Sequence, residues 1–175
     1  MPTVERKGDA GEGCAPAAAP KWIPPPQGLM KVNVNAALSK NSDIVAMAAV
    51  ARDEAGAFMG TSALVMKGVS DPETAEVLAC REGLALAADL MIRRVWITTD
   101  CACAIRSMAG PGMGRYGHRD EGWLANFERA EVVHEGRASN TDAHALARSS
   151  IYESLGRHVW FLILLMEFVP ATLFE

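Results

Sequence analysis

Asp100 closes the run Arg93-Arg94-Val95-Trp96-Ile97-Thr98-Thr99-Asp100, whose β-branched and aromatic residues favour a strand and so deliver a carboxylate to a strand end. Strand ends and the loops after them are where sites concentrate. Ahead of this run, Glu76 lies near the start of an Ala- and Leu-rich helical segment; behind it, Asn140-Thr141-Asp142-Ala143-His144 opens another helix. Lys31-Val32-Asn33-Val34-Asn35 alternates with a period of two, so a strand there brings Asn35 to the corresponding end. Carboxylates at Glu76 and Asp100, an amide at Asn35 and an imidazole at His144 are groups able to engage a hard cation or a phosphate, and an acid at position 35 would complete a metal site. Each also has a local explanation. Glu76 suits the positive end of a helix, Asp100 can cap the helix after it, Asn35 can form a turn, and His144 can be a half-buried helix residue. Arg137 and Arg148 can contact phosphate or merely solvate a helix face.

The elements that position these groups can be read in order. Residues 1–27 form a tail without periodicity, rich in Gly, Ala and Pro, and end in the stiff lead-in Pro24-Pro25-Pro26, with Trp22 as a possible anchor. The folded domain is expected over 28–160, and an apolar C-terminal tail over 161–175. Ile44 to Arg52 and Phe58 to Lys67 are strand-like stretches flanking the turn Asp53-Glu54-Ala55-Gly56, which with the first strand gives an antiparallel meander. Ser70-Asp71-Pro72-Glu73 starts a helix that runs through Leu90. A crossover of this kind leads back to a parallel strand, Arg93 to Asp100. Cys101 to Met108 reads as a short helix stopped by Ala109-Gly110-Pro111-Gly112, Glu131 to His134 as a strand, and Thr141 to Leu155 as a helix capped by Ser139 or Asn140. The expected fold class is α/β: a mixed five-stranded sheet, three strands as an antiparallel meander and two parallel, flanked by helices.

Totals bound the function. A chain of 175 residues that is 50% hydrophobic and 22% charged suits one soluble domain with a real core. Its net charge of -4 argues against broad attraction to nucleic acid, so any such site must be local. Cys14, Cys80, Cys101 and Cys103 have neither zinc-finger nor disulfide-scaffold spacing, and no signal-peptide pattern precedes them; reduced thiols in an intracellular protein are expected. The run Val159 to Met166 is too short to span a membrane and reads as a packed tail or an exposed strip. Trp22, Trp96, Trp123 and Trp160 read as packing residues.

The element order, with Trp22 and the three prolines, Lys31 to Asn35, Ala75-Glu76-Val77-Leu78-Ala79, Thr98-Thr99-Asp100 and Arg137 to Ala147, resembles the plant ribonuclease H-like domains related to retrotransposon reverse transcriptases. The likeness runs from about Trp22 to Trp160. It implies a ribonuclease H-like fold, an RNA/DNA hybrid or other nucleic acid as partner, and an endonucleolytic hydrolase that uses two Mg²⁺ or Mn²⁺ ions; a monomer is expected. By resemblance the catalytic positions are Asn35, Glu76, Asp100 and His144, the metal ligands Glu76, Asp100 and Asn35, and the nucleic-acid contacts Asn140 and Arg137. Two of the four acids of the pattern are replaced: Asn35 stands for the first Asp and His144 for the last. A neutral amide cannot offset cation charge, which predicts weak metal binding and poor turnover. Asp142 falls on a different helix face from His144 and is a poor substitute. Gly110 to Arg129 departs from the longer helix usual there. Three functions follow: a metal-dependent hybrid endoribonuclease with a weakened site, a non-catalytic nucleic-acid-binding module, or an inactive retrotransposon-derived relic.

Overall fold

The computed structural model describes residues 22–109 and 126–161. Strands β1 (Met30–Leu38), β2 (Ile44–Arg52) and β3 (Phe58–Lys67) form the antiparallel meander. Its second turn is set by Asp53, whose Oδ1 accepts from the Ala55 and Ala57 amides, and by Gly56, whose φ of 87° suits a residue without a side chain. A Cβ on Gly56 would also lie 3.3 Å from the Trp22 ring, so the lead-in segment is anchored on this turn.

Helix α1 (Pro72–Asp89) starts at Asp71, whose carboxylate accepts from the Thr74 amide at 2.7 Å. It crosses to β4 (Arg94–Thr99), which runs parallel to β1, and β5 (Arg129–His134) then pairs in parallel with β4. Helix α2 (Ala102–Ala109) follows β4, and a single 3-10 turn (Arg137–Ser139) joins β5 to helix α3 (Thr141–Ser150).

A final strand, β6 (Gly156–Phe161), pairs antiparallel with β3, so the sheet has six strands among the described residues, in the order β5-β4-β1-β2-β3-β6. Five strands were expected, and the mixed α/β character holds. The apolar run from Val159 therefore begins inside an edge strand, and its continuation past Phe161 lies outside the described residues. Arg157 and His158 obscured the strand in sequence. Arg157 is held by carboxylates of α1, Glu82 at 2.8 Å and Asp89 at 2.6 Å, which fastens β6 to that helix. Helix α3 ends at Ser150 rather than Leu155, because the Tyr152 and Glu153 amides turn back to Ser149 and Ser150 carbonyls. The altered stretch after Gly110 lies mostly outside the described residues, as do Trp123 and Cys14. No described helix is long and apolar enough to cross a membrane.

Both faces of the central strands are buried, which explains the unbroken burial of β2 from Val45 to Ala51. Val32, Val34, Val45, Met47, Ala49 and Ile97 share one core with Ala79, Leu84 and Leu86 of α1. On the other face α3 packs on β1 and β2 through the small buried residues Ala143, Ala147 and Ser150, over Lys31, Asn33 and Asn35. The polar half of β1's alternation thus faces a second helix rather than water.

Gly83 fixes how closely α1 approaches the sheet. A Cβ there would sit 2.6 Å from Val34 Cγ1 and 3.4 Å from Ile97 Cδ1. Val34 is β-branched and cannot swing aside. Gly83→Ala is therefore expected to cost about 1–3 kcal/mol from overpacking, outweighing the ~1 kcal/mol that Ala gains in helix propensity. A lowered urea midpoint would show it; an unchanged or raised midpoint contradicts the packing described.

Candidate active site

Parallel pairing of β1 with β4 sets the site. Asn33 stands opposite Thr98 in that register, so two residues further on Asn35 and Asp100 come side by side at the strand ends. Asn35 Nδ2 donates to Asp100 Oδ1 at 3.0 Å, and the other carboxylate oxygen, Oδ2, accepts from Arg137 Nε at 3.0 Å. Asn35 Oδ1 faces His144 Nδ1 at 3.3 Å. An ionised carboxylate only accepts, so the amide must turn its NH₂ to Asp100 and its carbonyl oxygen to the imidazole, which makes Nδ1 the protonated ring nitrogen.

Glu76 reaches the same rim from α1, on the opposite face. Its Oε1 accepts from the amide of Ala36, the residue after Asn35, and its Oε2 from the hydroxyl of Thr99, the residue before Asp100, each at 3.3 Å. The structure therefore gathers Asn35, Glu76, Asp100 and His144 at one end of β1 and β4. Asp100 does not cap α2: its oxygens are engaged by Asn35 and Arg137, while the Ala104 amide turns to Cys101 Sγ. Asp142 points away, as its helix position predicts, and pairs with Arg52 at 2.7 Å.

Asn140 sits at the start of α3 but makes no side-chain capping bond. It is 1% exposed and donates to the Val34 carbonyl at 2.8 Å, so it seats α3 on β1 instead of meeting solvent. Arg137 is outward-facing and bound to Asp100.

Sequence alone did not single out Lys31 or Glu135, and it offered Ser139 only as a helix cap. Lys31 is fully buried; its ammonium contacts both Glu135 oxygens at 2.8 and 2.6 Å and the Ile23 carbonyl at 2.6 Å, and lies 5.4 Å from the Trp22 ring centre. Burial lowers its pKa, and the Glu135 carboxylate works against that shift. Glu135 also accepts from Ser139 Oγ at 2.9 Å, while Asn33 Nδ2 donates to the Ser139 carbonyl at 3.3 Å. These bonds hold the turn that carries Arg137. A signal existed: with Thr99 opposite His134 in the parallel register of β4 and β5, Glu135 follows β5 just as Asp100 follows β4.

Burial pushes the Glu76 carboxyl from its ordinary 4.5 up to about 7; the Asp100 charge adds to this, and the Ala36 amide, the Thr99 hydroxyl and Arg137 oppose it. Below the unfolded value both states hold the proton. Between 4.5 and about 7 the folded state keeps a proton that the unfolded chain has released, and above that range the folded state bears the full cost of a buried charge. The contribution to stability is thus complete at acid pH and lost as pH rises through about 7, by at most about 3 kcal/mol. Glu76→Gln is expected to remove this pH dependence and to match or exceed wild-type stability at pH 8. Denaturation midpoints of both proteins from pH 5 to 8 check it; parallel curves would refute it.

These groups, as arranged, do not fit the two-cation centre that the resemblance implies. Asn35 presents hydrogen atoms, not its oxygen, to the carboxylate it would share a cation with, and Arg137 covers the other oxygen. Among the described residues no group of three or more His, Cys, Asp and Glu is placed to hold a metal ion, Cys101 and Cys103 included.

The fold has close parallels. Ribonuclease H1 from Halobacterium salinarum superposes with a TM-score of 0.64 at 20% identity, covering 73% of this chain and all of that one. The N-terminal RNase H domain of Rv2228c from Mycobacterium tuberculosis gives 0.60 at 18% identity, covering 70% of this chain and 92% of that one. LC11-RNase H1, isolated from compost by a metagenomic approach and solved in complex with RNA/DNA hybrid, gives 0.59 at 16% identity, covering 70% and 96%. These likenesses define a ribonuclease H-like fold. The reverse transcriptase-like family model matches residues 33–150, the greater part of the chain, and the chain belongs to that family. No curated protein matches it.

Proposed function

We propose that this protein is a nucleic-acid-binding domain of the ribonuclease H type that takes RNA/DNA hybrid, with metal-dependent phosphodiester hydrolysis impaired at Asn35 and His144. Its fold, its family and the gathering of Asn35, Glu76, Asp100 and His144 on one rim support the reading. One of the structural neighbours was solved bound to such a hybrid. The observation that carries the impairment is the Asn35 amide donating to Asp100 at 3.0 Å. A carboxylate at position 35 would be repelled by Asp100 unless a cation lay between them; the amide bonds to it directly, so the pair is stable without one. Mg²⁺ or Mn²⁺ would meet one carboxylate fewer here than with an acid at position 35, and burial, which raises the Glu76 carboxyl to about 7, weakens Glu76 as an anionic ligand near neutral pH. Such a site holds a cation weakly. The reading includes an intracellular monomer with free thiols and kinship to retrotransposon-related domains.

Hydrolysis of a labelled RNA/DNA hybrid in Mg²⁺ or Mn²⁺ tests this. Wild type is expected to bind the hybrid and cleave it slowly or not at all. Asn35→Asp should raise cleavage by roughly tenfold to 100-fold, and adding Asp100→Asn should abolish the gain. Efficient cleavage by wild type, or no hybrid binding at all, would contradict the proposal. Binding without cleavage in every variant would leave the non-catalytic module as the better description.

A further inference from the structure

The two oxygens of Asp100 are already satisfied, one by a neutral amide and one by a charged guanidinium. The carboxylate is 9% exposed, whereas Arg137 is 75% exposed. Arg137 binds through Nε, the nitrogen on the inner edge of the guanidinium, and its terminal nitrogens have no partner among the described residues. A guanidinium held by Nε keeps a fork of N–H donors directed away from the carboxylate, a geometry matched to the oxygens of a phosphodiester.

The placement is not accidental to an exposed loop. Arg137 sits in a turn whose other end, Ser139, is tied by its hydroxyl to Glu135 and by its carbonyl to Asn33, and Glu135 is itself clamped by the buried Lys31. The turn thus rests on β1, the strand that also carries Asn35.

From this we infer that Arg137 is the site's built-in cation: it neutralises Asp100 where a divalent ion would otherwise sit, and it offers its outer nitrogens to a backbone phosphate, so that hybrid binds at this rim without metal. The inference rests on the nucleic-acid reading above and deepens it. The protein reads the backbone there through Arg137 rather than through a bridging ion. Asn35 is the matching partner, because a second carboxylate beside Asp100 would leave Arg137 unable to balance the pair.

Two measurements on the full chain test it. The first is hybrid affinity in EDTA across a salt series; the second is Mn²⁺ affinity in the absence of nucleic acid, read from the resonance signal of free Mn²⁺. Wild type should bind hybrid equally in EDTA and in Mn²⁺. Arg137→Gln should weaken hybrid binding in EDTA by about threefold to tenfold and lower the salt slope by about 1. The same variant should tighten Mn²⁺ binding by about twofold to fivefold, the range expected for removal of an ion pair whose cationic partner is exposed. Arg137→Lys, which keeps the charge but loses the fork, should preserve most of the salt slope while losing part of the affinity. Coincident circular dichroism spectra would show that the fold is retained, as the exposed position leads one to expect. Unchanged hybrid and Mn²⁺ affinities in Arg137→Gln would overturn the assignment of Arg137 alone, as would hybrid binding that requires divalent ions. Failure of wild type to bind hybrid under any condition would overturn the nucleic-acid reading together with it.

Discussion

An ionised carboxylate can only accept hydrogen bonds, and that constraint organises the rim of this sheet. With Asp100 fixed beside Asn35 by the parallel register of β1 and β4, the amide has one acceptable orientation, NH₂ toward the carboxylate. Its carbonyl oxygen is then committed to His144, which decides the imidazole tautomer. The second Asp100 oxygen takes Arg137, which requires the 3-10 turn to lie close to β4. One strand pairing therefore propagates through two bonds to helix α3 on one side and to the turn before it on the other.

The polar alternation of β1 makes this possible. Lys31, Asn33 and Asn35 are all buried, and each ends on a different partner: Glu135, Thr98 with the Ser139 carbonyl, and Asp100. A buried polar group is tolerated only when satisfied, and truncating one partner costs the desolvation of the other. These three residues stabilise the domain little relative to apolar ones of similar size. Their effect is to specify where β5's continuation, the 3-10 turn and α3 must lie, because any other placement would strand an ammonium or an amide in the interior. Valines on the opposite face do the complementary work of burying apolar surface against α1, brought close by Gly83.

Much of this was legible in the residues. The period-two pattern of Lys31 to Asn35, the Asp71 cap and the β-branched run to Thr99 each reflect local chemistry and each formed the element expected. The four rim residues could be foreseen to meet because strand and helix ends in an α/β crossover face the same side. What was not legible depends on tertiary partners. Strand β6 carries Arg157 and His158, whose polarity hides an edge strand until the carboxylates of Glu82 and Asp89 are seen beneath Arg157. Asn140 has the composition of a helix cap, yet its amide was drawn to the Val34 carbonyl, a choice set by the packing of α3. Lys31 stood in the sequence only as one polar member of an alternating strand, and it is the arrival of Glu135, 104 residues later, that makes its burial acceptable.

Charge balance ties these observations to function. With Arg137 on Asp100, and with burial raising the Glu76 carboxyl to about 7, the rim carries little net charge near neutral pH without an external cation. A third carboxylate at position 35 would make it strongly negative, and burial would then raise the cost of every acid present unless ions were bound. The amide at position 35 and the guanidinium at position 137 are therefore two halves of one arrangement: the first removes the charge that would call for a metal, and the second supplies what remains to be neutralised. A rim built in this way stands organised before any ligand arrives, and the positive charge it presents outward is that of Arg137.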